Sequence, residues 1–133
     1  MEIQTYTPVY PKEDAIGKAI VETACKVKQE LGFGLIEDAY QQCFCHTLSN
    51  SGYDVKRRLD IPVIYDNLVF NEALQLDVLV NDLVICEFQS YSKVTHVLET
   101  QILSRLKLTG KRVGYLISFD VQRIEEGIKR FVV

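Results

Sequence analysis

The chain is 133 residues long, 47 % hydrophobic and 25 % charged, which suits one domain with one core and excludes a largely disordered chain. Its net charge of −3 excludes a global pull toward nucleic acid, so any such binding must come from local basic clusters: KRR at 56–58, GKR at 110–112 and KR at 129–130. No apolar run reaches the roughly 18 residues of a membrane span, the first residues lack the form of a secretory signal, and Cys25, Cys43, Cys45 and Cys86 show no paired zinc spacing, so a cytoplasmic protein with free thiols is expected.

The spacing predicts a first helix over 12–31. Pro11 suits its first turn, and Ile16, Ala19, Ile20, Thr23, Ala24, Val27 and Leu31 form one buried stripe. GFG at 32–34 stops it, because glycine readily takes the left-handed conformation. A second helix is expected over about 35–50, with Ile36, Ala39, Tyr40, Cys43, Phe44, Thr47 and Leu48 inward. Glu37 lies in its first turn, where an acid favours the helix dipole.

YDVKRRLDIPVIYD, at 53–66, reads as a long or bent strand, with Pro62 marking an edge or a bulge. Asp66-Asn67 turns the chain, and LVF pairs back. A hairpin over 74–90 follows. A third helix spans about 93–108, ended by Thr109-Gly110. Its expected inward face is Val94, Val97, Leu98, Gln101, Arg105 and Leu108. Buried amides and guanidiniums need partners, so Gln101 and Arg105 either reach the acidic face of the hairpin or mark the helix edge. RVGYLISF at 112–119 reads as a buried strand, and the tail gives a helical turn and a last strand. The order ααβββαβ predicts an α/β (α+β) fold with a central mixed β-sheet flanked by helices.

The hairpin LQLDVLVNDLVICEFQS settles its own register. A two-residue turn at Asn81-Asp82 sets Asp77 opposite Cys86, and both faces then mix charge with large apolar groups. A three-residue loop, Asn81 to Leu83, sets Val80 opposite Val84 and Asp77 opposite Glu87. One face is then Leu76, Val78, Val80, Val84, Cys86 and Phe88. The other carries Gln75, Asp77, Glu87 and Gln89 with Leu79 and Ile85. A buried face fixes register strongly, so the second pairing is expected. Opposed carboxylates about 5 Å apart repel unless a proton or cation lies between them. Mg²⁺ is a natural partner, since it takes oxygen ligands. The alternative is a wet sheet face with each carboxylate bonded separately.

ELGFGLIEDAY carries Gly34, Glu37 and Tyr40 in the pattern GxxExxY, and LDVLVNDLVICEFQ, ETQILSRLKLTGKRVGYLISF and GIKRFVV follow in order. From about Ile16 to Val133 the chain resembles the GxxExxY proteins of the PD-(D/E)XK nuclease superfamily. The resemblance implies a restriction-endonuclease-like core in one domain over 1–133. It also implies divalent-metal-dependent phosphodiester hydrolysis with Mg²⁺ or Mn²⁺, on DNA before RNA. Carried over by position, Asp77 and Glu87 are the metal ligands, Gln89 falls where the pattern has lysine, Glu37 matches a helix-borne glutamate, and Gln101 matches the glutamine of a QxxxY element.

Three positions depart from that pattern. Gln89 can orient a water but carries no charge. Arg105 stands in place of the QxxxY tyrosine, and Lys28 in place of an expected histidine. Some restriction-type members work with glutamate or glutamine at the lysine position, and Arg105 or Lys28 would restore the charge if brought near. The expected basic rim is Lys56, Arg57, Arg58, Arg105, Lys111 and Arg112. The expected partners are nucleic acid and, for cutting both strands, a second copy in a homodimer. The other readings are an inactive member serving as a nucleic-acid- or protein-binding module, and a structural homo-oligomer with the acids paired to Arg105 or Lys28.

Overall fold

A computed structural model describes residues 10–90 and 95–133. Helix α1 spans Pro11–Leu31 and α2 spans Glu37–Asn50. Strands β1 (Val55–Tyr65), β2 (Leu68–Val80) and β3 (Val84–Gln89) follow, then α3 (His96–Thr109), β4 (Val113–Ser118), a 3-10 turn at Ile124–Gly127, and β5 (Ile128–Val132). The five strands form one sheet in the order β1-β2-β3-β4-β5. β3 and β4 run parallel, joined through α3, and every other neighbouring pair is antiparallel. The fold is the expected mixed sheet with helices on both faces. No helix among the described residues is long and apolar enough to cross a membrane.

One face of the sheet packs on α1 and α2. Ile16, Ile20, Ala24, Val27, Phe44 and Leu48 meet Val78, Val80, Val84, Cys86, Phe88, Tyr115 and Ile117. α1 comes so close to β4 that a side chain at Gly17 would run into the Tyr115 ring. The other face packs on α3, where Ile102 and Leu106 meet Leu79, Ile85, Leu116 and Phe131. The buried face of α3 is therefore Leu98, Ile102 and Leu106. Val97 and Leu108, expected inward, are 64 % and 56 % exposed, and Gln101 is exposed with them. The helix turns the stripe of Leu98, Ile102 and Leu106 inward and leaves the other stripe on the surface. Lys93 and Val94 lie outside the described residues.

β2 and β3 pair as Val80↔Val84, Leu79↔Ile85 and Val78↔Cys86, the register of the three-residue loop. Asn81 and Asp82 both take positive φ, 51° and 57°, a conformation that short polar side chains tolerate. Leu83 N–H closes the turn on Val80 O at 3.0 Å. Pro62 marks both an edge and an irregularity: β1 is the outer strand, and its register against β2 shifts between Ile61 and Val63. Leu76, expected beside Val78, instead joins the α3-side cluster. The alternation breaks next to Asp77, where the ladder to β3 has ended and the facing strand kinks at Arg58, whose φ is +52°.

Candidate active site

β2 and β3 part beyond the Val78↔Cys86 pair, and two carboxylates occupy the fork. Asp77 Oδ2 accepts from Phe88 N–H at 2.9 Å, and Glu87 Oε2 accepts from Asp77 N–H at 3.1 Å. Side-chain oxygens thus take over backbone donors that a continued ladder would satisfy. This holds both acids in place and leaves each one oxygen not used in those bonds.

Glu87 is mostly buried. Burial, and then the neighbouring Asp77 charge, push its carboxyl up to about 7. Arg105 on α3 opposes that shift, with its Nε 3.5 Å from Glu87 Oε1. Of the two roles open to Arg105, the fold shows the contact with the acidic face, through Glu87. Its Nε is buried and makes no hydrogen bond.

Glu37 arrives from the other side, as the first residue of α2. The preceding loop explains its placement. Gly34 has φ +103°, a conformation that favours glycine. Tyr40 pins the loop by donating to Gly32 O at 2.8 Å and accepting from Leu35 N–H at 3.2 Å. Glycine, glutamate and tyrosine at this spacing therefore form one local device that presents Glu37. Burial, then Asp77 and Asp38, hold the Glu37 carboxyl above its ordinary range, and its Oε2 is buried without a partner. Gln89, at the end of β3, is buried with both amide atoms unpaired.

Glu37 and Gln89 border a cavity of about 380 Å³ whose other walls include Leu35, Ile36, Tyr40, Phe119 and Asp120. Tyr40 stacks on Phe119 with centroids 4.7 Å apart. The cavity opens where the parallel strands β3 and β4 end, Gln89 facing Ser118, the place where open sheets with parallel strands commonly bind ligands. Leu35, Phe119 and Asp120 carried no motif, so only the topology could have found them.

The remaining candidates lie further out. Gln101 is exposed, one turn before Arg105, in a surface groove with Leu74, Val97 and Leu108. Lys28 donates to Phe119 O at 2.8 Å and reaches the cavity only through that residue; burial lowers its pKa, against the pull of Asp120. Lys56 is exposed on β1. Arg57 and Arg58 both bind Asp38 Oδ1 at 2.9 Å, and Arg57 also holds Gln41. Arg57 stands opposite Val78, which sets this cluster one strand from the acids. Lys111 and Arg112 sit at the other end of the sheet. Lys111 pairs with Asp82 at 3.2 Å, and Arg112 with the buried Glu13 at 2.8 Å. The expected rim is therefore split, with its second half away from the acids.

No three His, Cys, Asp or Glu side chains among the described residues are grouped closely enough to hold a metal ion between them. A magnesium-like ion nevertheless needs only one or two carboxylates, the remainder being waters and substrate oxygens. Asp77 and Glu87 supply that minimum, and the orphaned Gln89 Oε1 and Glu37 Oε2 are oxygen donors without partners. The donor set fits a two-carboxylate hard-ion site.

A family model described as "PD-(D/E)XK nuclease superfamily" matches residues 14–131. No curated protein and no solved structure matches the chain.

Proposed function

The chain belongs to the PD-(D/E)XK nuclease superfamily, and from that premise we propose that it is a GxxExxY-type, Mg²⁺- or Mn²⁺-dependent nuclease of the cytoplasm, hydrolysing phosphodiesters of DNA before RNA. The observation that carries this reading is the fork, where Asp77 and Glu87 are fixed by each other's strand and each has a second oxygen outside those bonds, that of Glu87 facing Arg105. Asp77 and Glu87 would hold the ion. Once bound, a divalent ion offsets charge on phosphoryl oxygens and acidifies a water.

The protein groups have separate tasks in this reading. Gln89, with its amide unpaired, orients the attacking water. Glu37 is the candidate proton acceptor, since burial and the charges of Asp77 and Asp38 make it a stronger base than an ordinary carboxylate. Among the described residues Arg105 is the cation paired with Glu87, and it supplies positive charge that Gln89 cannot. Charge fixed where anionic charge develops contributes several kcal/mol in comparable sites.

Calorimetric titration of Mn²⁺ into the protein and an Asp77→Asn variant tests the site. Saturable binding lost in the variant is expected, and strand cleavage that Glu87→Gln abolishes should accompany it. Mn²⁺ binding without cleavage of any nucleic acid would favour a second reading, an inactive member acting as a binding module. The uncharged Gln89 at the lysine position supports that alternative.

A further inference from the structure

The cavity bordered by Glu37 and Gln89 encloses about 380 Å³, at the lower end of the sizes of small-ligand sites. Leu35 and Ile36 give it an apolar lip, 46 % and 75 % exposed. That lip is fixed in place, because the Tyr40 hydroxyl bonds both Gly32 O and Leu35 N–H. Gln89 lines the cavity, is only 8 % exposed, and has no partner for either amide atom among the described residues. A buried donor left unbonded costs about 1–3 kcal/mol, which a ligand carrying an acceptor would recover. Gln89 Oε1 serves the attacking water in the reading above, and Nε2 remains as the donor free for such a ligand.

We infer that the cavity takes one unpaired nucleobase of the substrate strand, which accepts from Gln89 Nε2 and packs its ring on Leu35 and Ile36. The inference rests on the nuclease reading and names the form of nucleic acid that the site prefers. Charge selects the base over the phosphate. Glu37 and Asp120 both border the cavity, so an anion is repelled from it, whereas a base is flat, uncharged and polar only at its edge. The cations lie outside: Arg57 and Arg58 are gathered on Asp38, the residue after Glu37, where they suit the backbone of the same strand. Every nucleobase carries an acceptor on its pairing edge, and in an intact duplex the partner strand occupies it. A base must therefore be unpaired to meet Gln89. One donor and an apolar lip read no particular sequence, so the preference is for single-stranded or frayed substrate of any composition.

The test is fluorescence anisotropy of the whole chain in EDTA, with three DNA probes of equal length: a single strand, the same strand in a duplex, and a strand of abasic residues. The single strand should bind about tenfold or more tighter than either of the others. Two variants locate the effect. Ile36→Ser changes an exposed side chain, and Gln89→Leu keeps the bulk and removes the donor. Each should lower single-strand affinity about tenfold, toward that of the abasic strand, and leave the abasic strand unchanged. Equal affinity for all three probes, no affinity for any, or a base preference that survives in both variants would overturn the inference. EDTA keeps metal and cleavage out of the readout, so this inference and the nuclease reading, tested by Mn²⁺ titration and strand cleavage, fail separately.

Discussion

At the scale of single residues the site is governed by one energetic conflict, a mostly buried Glu87 carboxyl beside the charge of Asp77. A carboxyl raised to about 7 from an ordinary value of 4.5 makes the folded state bind a proton more tightly than the unfolded one. Its contribution to stability is full below about pH 4.5 and is lost as pH rises through about 7. Glu87→Gln should therefore stabilise the ion-free protein at pH 8 by roughly 2–3 kcal/mol and change little at pH 4, measured by urea unfolding at both pH values. The same proton competes with an ion, so Mn²⁺ affinity should climb with pH up to about 7 and then level. Arg105→Ala removes the charge that holds the Glu87 carboxyl down, and the midpoint of that climb should move to higher pH in the titration.

Elements explain why those residues meet. The hairpin register was legible in the sequence, because only one pairing puts a clean apolar face inward, and that pairing sets Asp77 beside Glu87. Glycine, glutamate and tyrosine at 34, 37 and 40 were legible as a pattern, but the reason for it, a loop tied by the Tyr40 hydroxyl, needs three dimensions. The face of α3 was misread. Val97, Gln101 and Leu108 share helical spacing as well as Leu98, Ile102 and Leu106 do, and a short helix with two apolar stripes does not say which one the sheet will cover. The basic rim was half legible, since sequence shows clusters of charge and not the end of the sheet on which each falls. Packing of α1 on β4 gives a separate check: Gly17→Ala should cost about 1–3 kcal/mol by forcing the Tyr115 ring aside, read as a lower denaturation midpoint.

For the whole molecule the distribution of charge matters more than its sum. A chain of net charge −3 attracts a polyanion only where cations are grouped, and the group near the acids is Lys56, Arg57 and Arg58. Lys56→Ala should weaken binding of a short duplex and reduce the dependence of log affinity on log salt by about one. Lys111→Ala, at the far end of the sheet, should change neither. Fluorescence anisotropy across a salt series, with Ca²⁺ in place of Mg²⁺ to hold back cleavage, separates the two.

The fork also contains its own spectroscopic gauge. The amide protons of Asp77 and Phe88 point at carboxylate oxygens and not at carbonyls, so their resonance positions depend on how much negative charge those oxygens carry. Protonation of Glu87 draws charge from the oxygen that the Asp77 amide faces and should move that signal upfield, and a cation held by both acids should move both signals, while amides in the intact ladder at Leu79 and Ile85 stay still. A nitrogen–proton correlation spectrum would thus follow occupancy of the acids with no substrate and no label beyond the isotope.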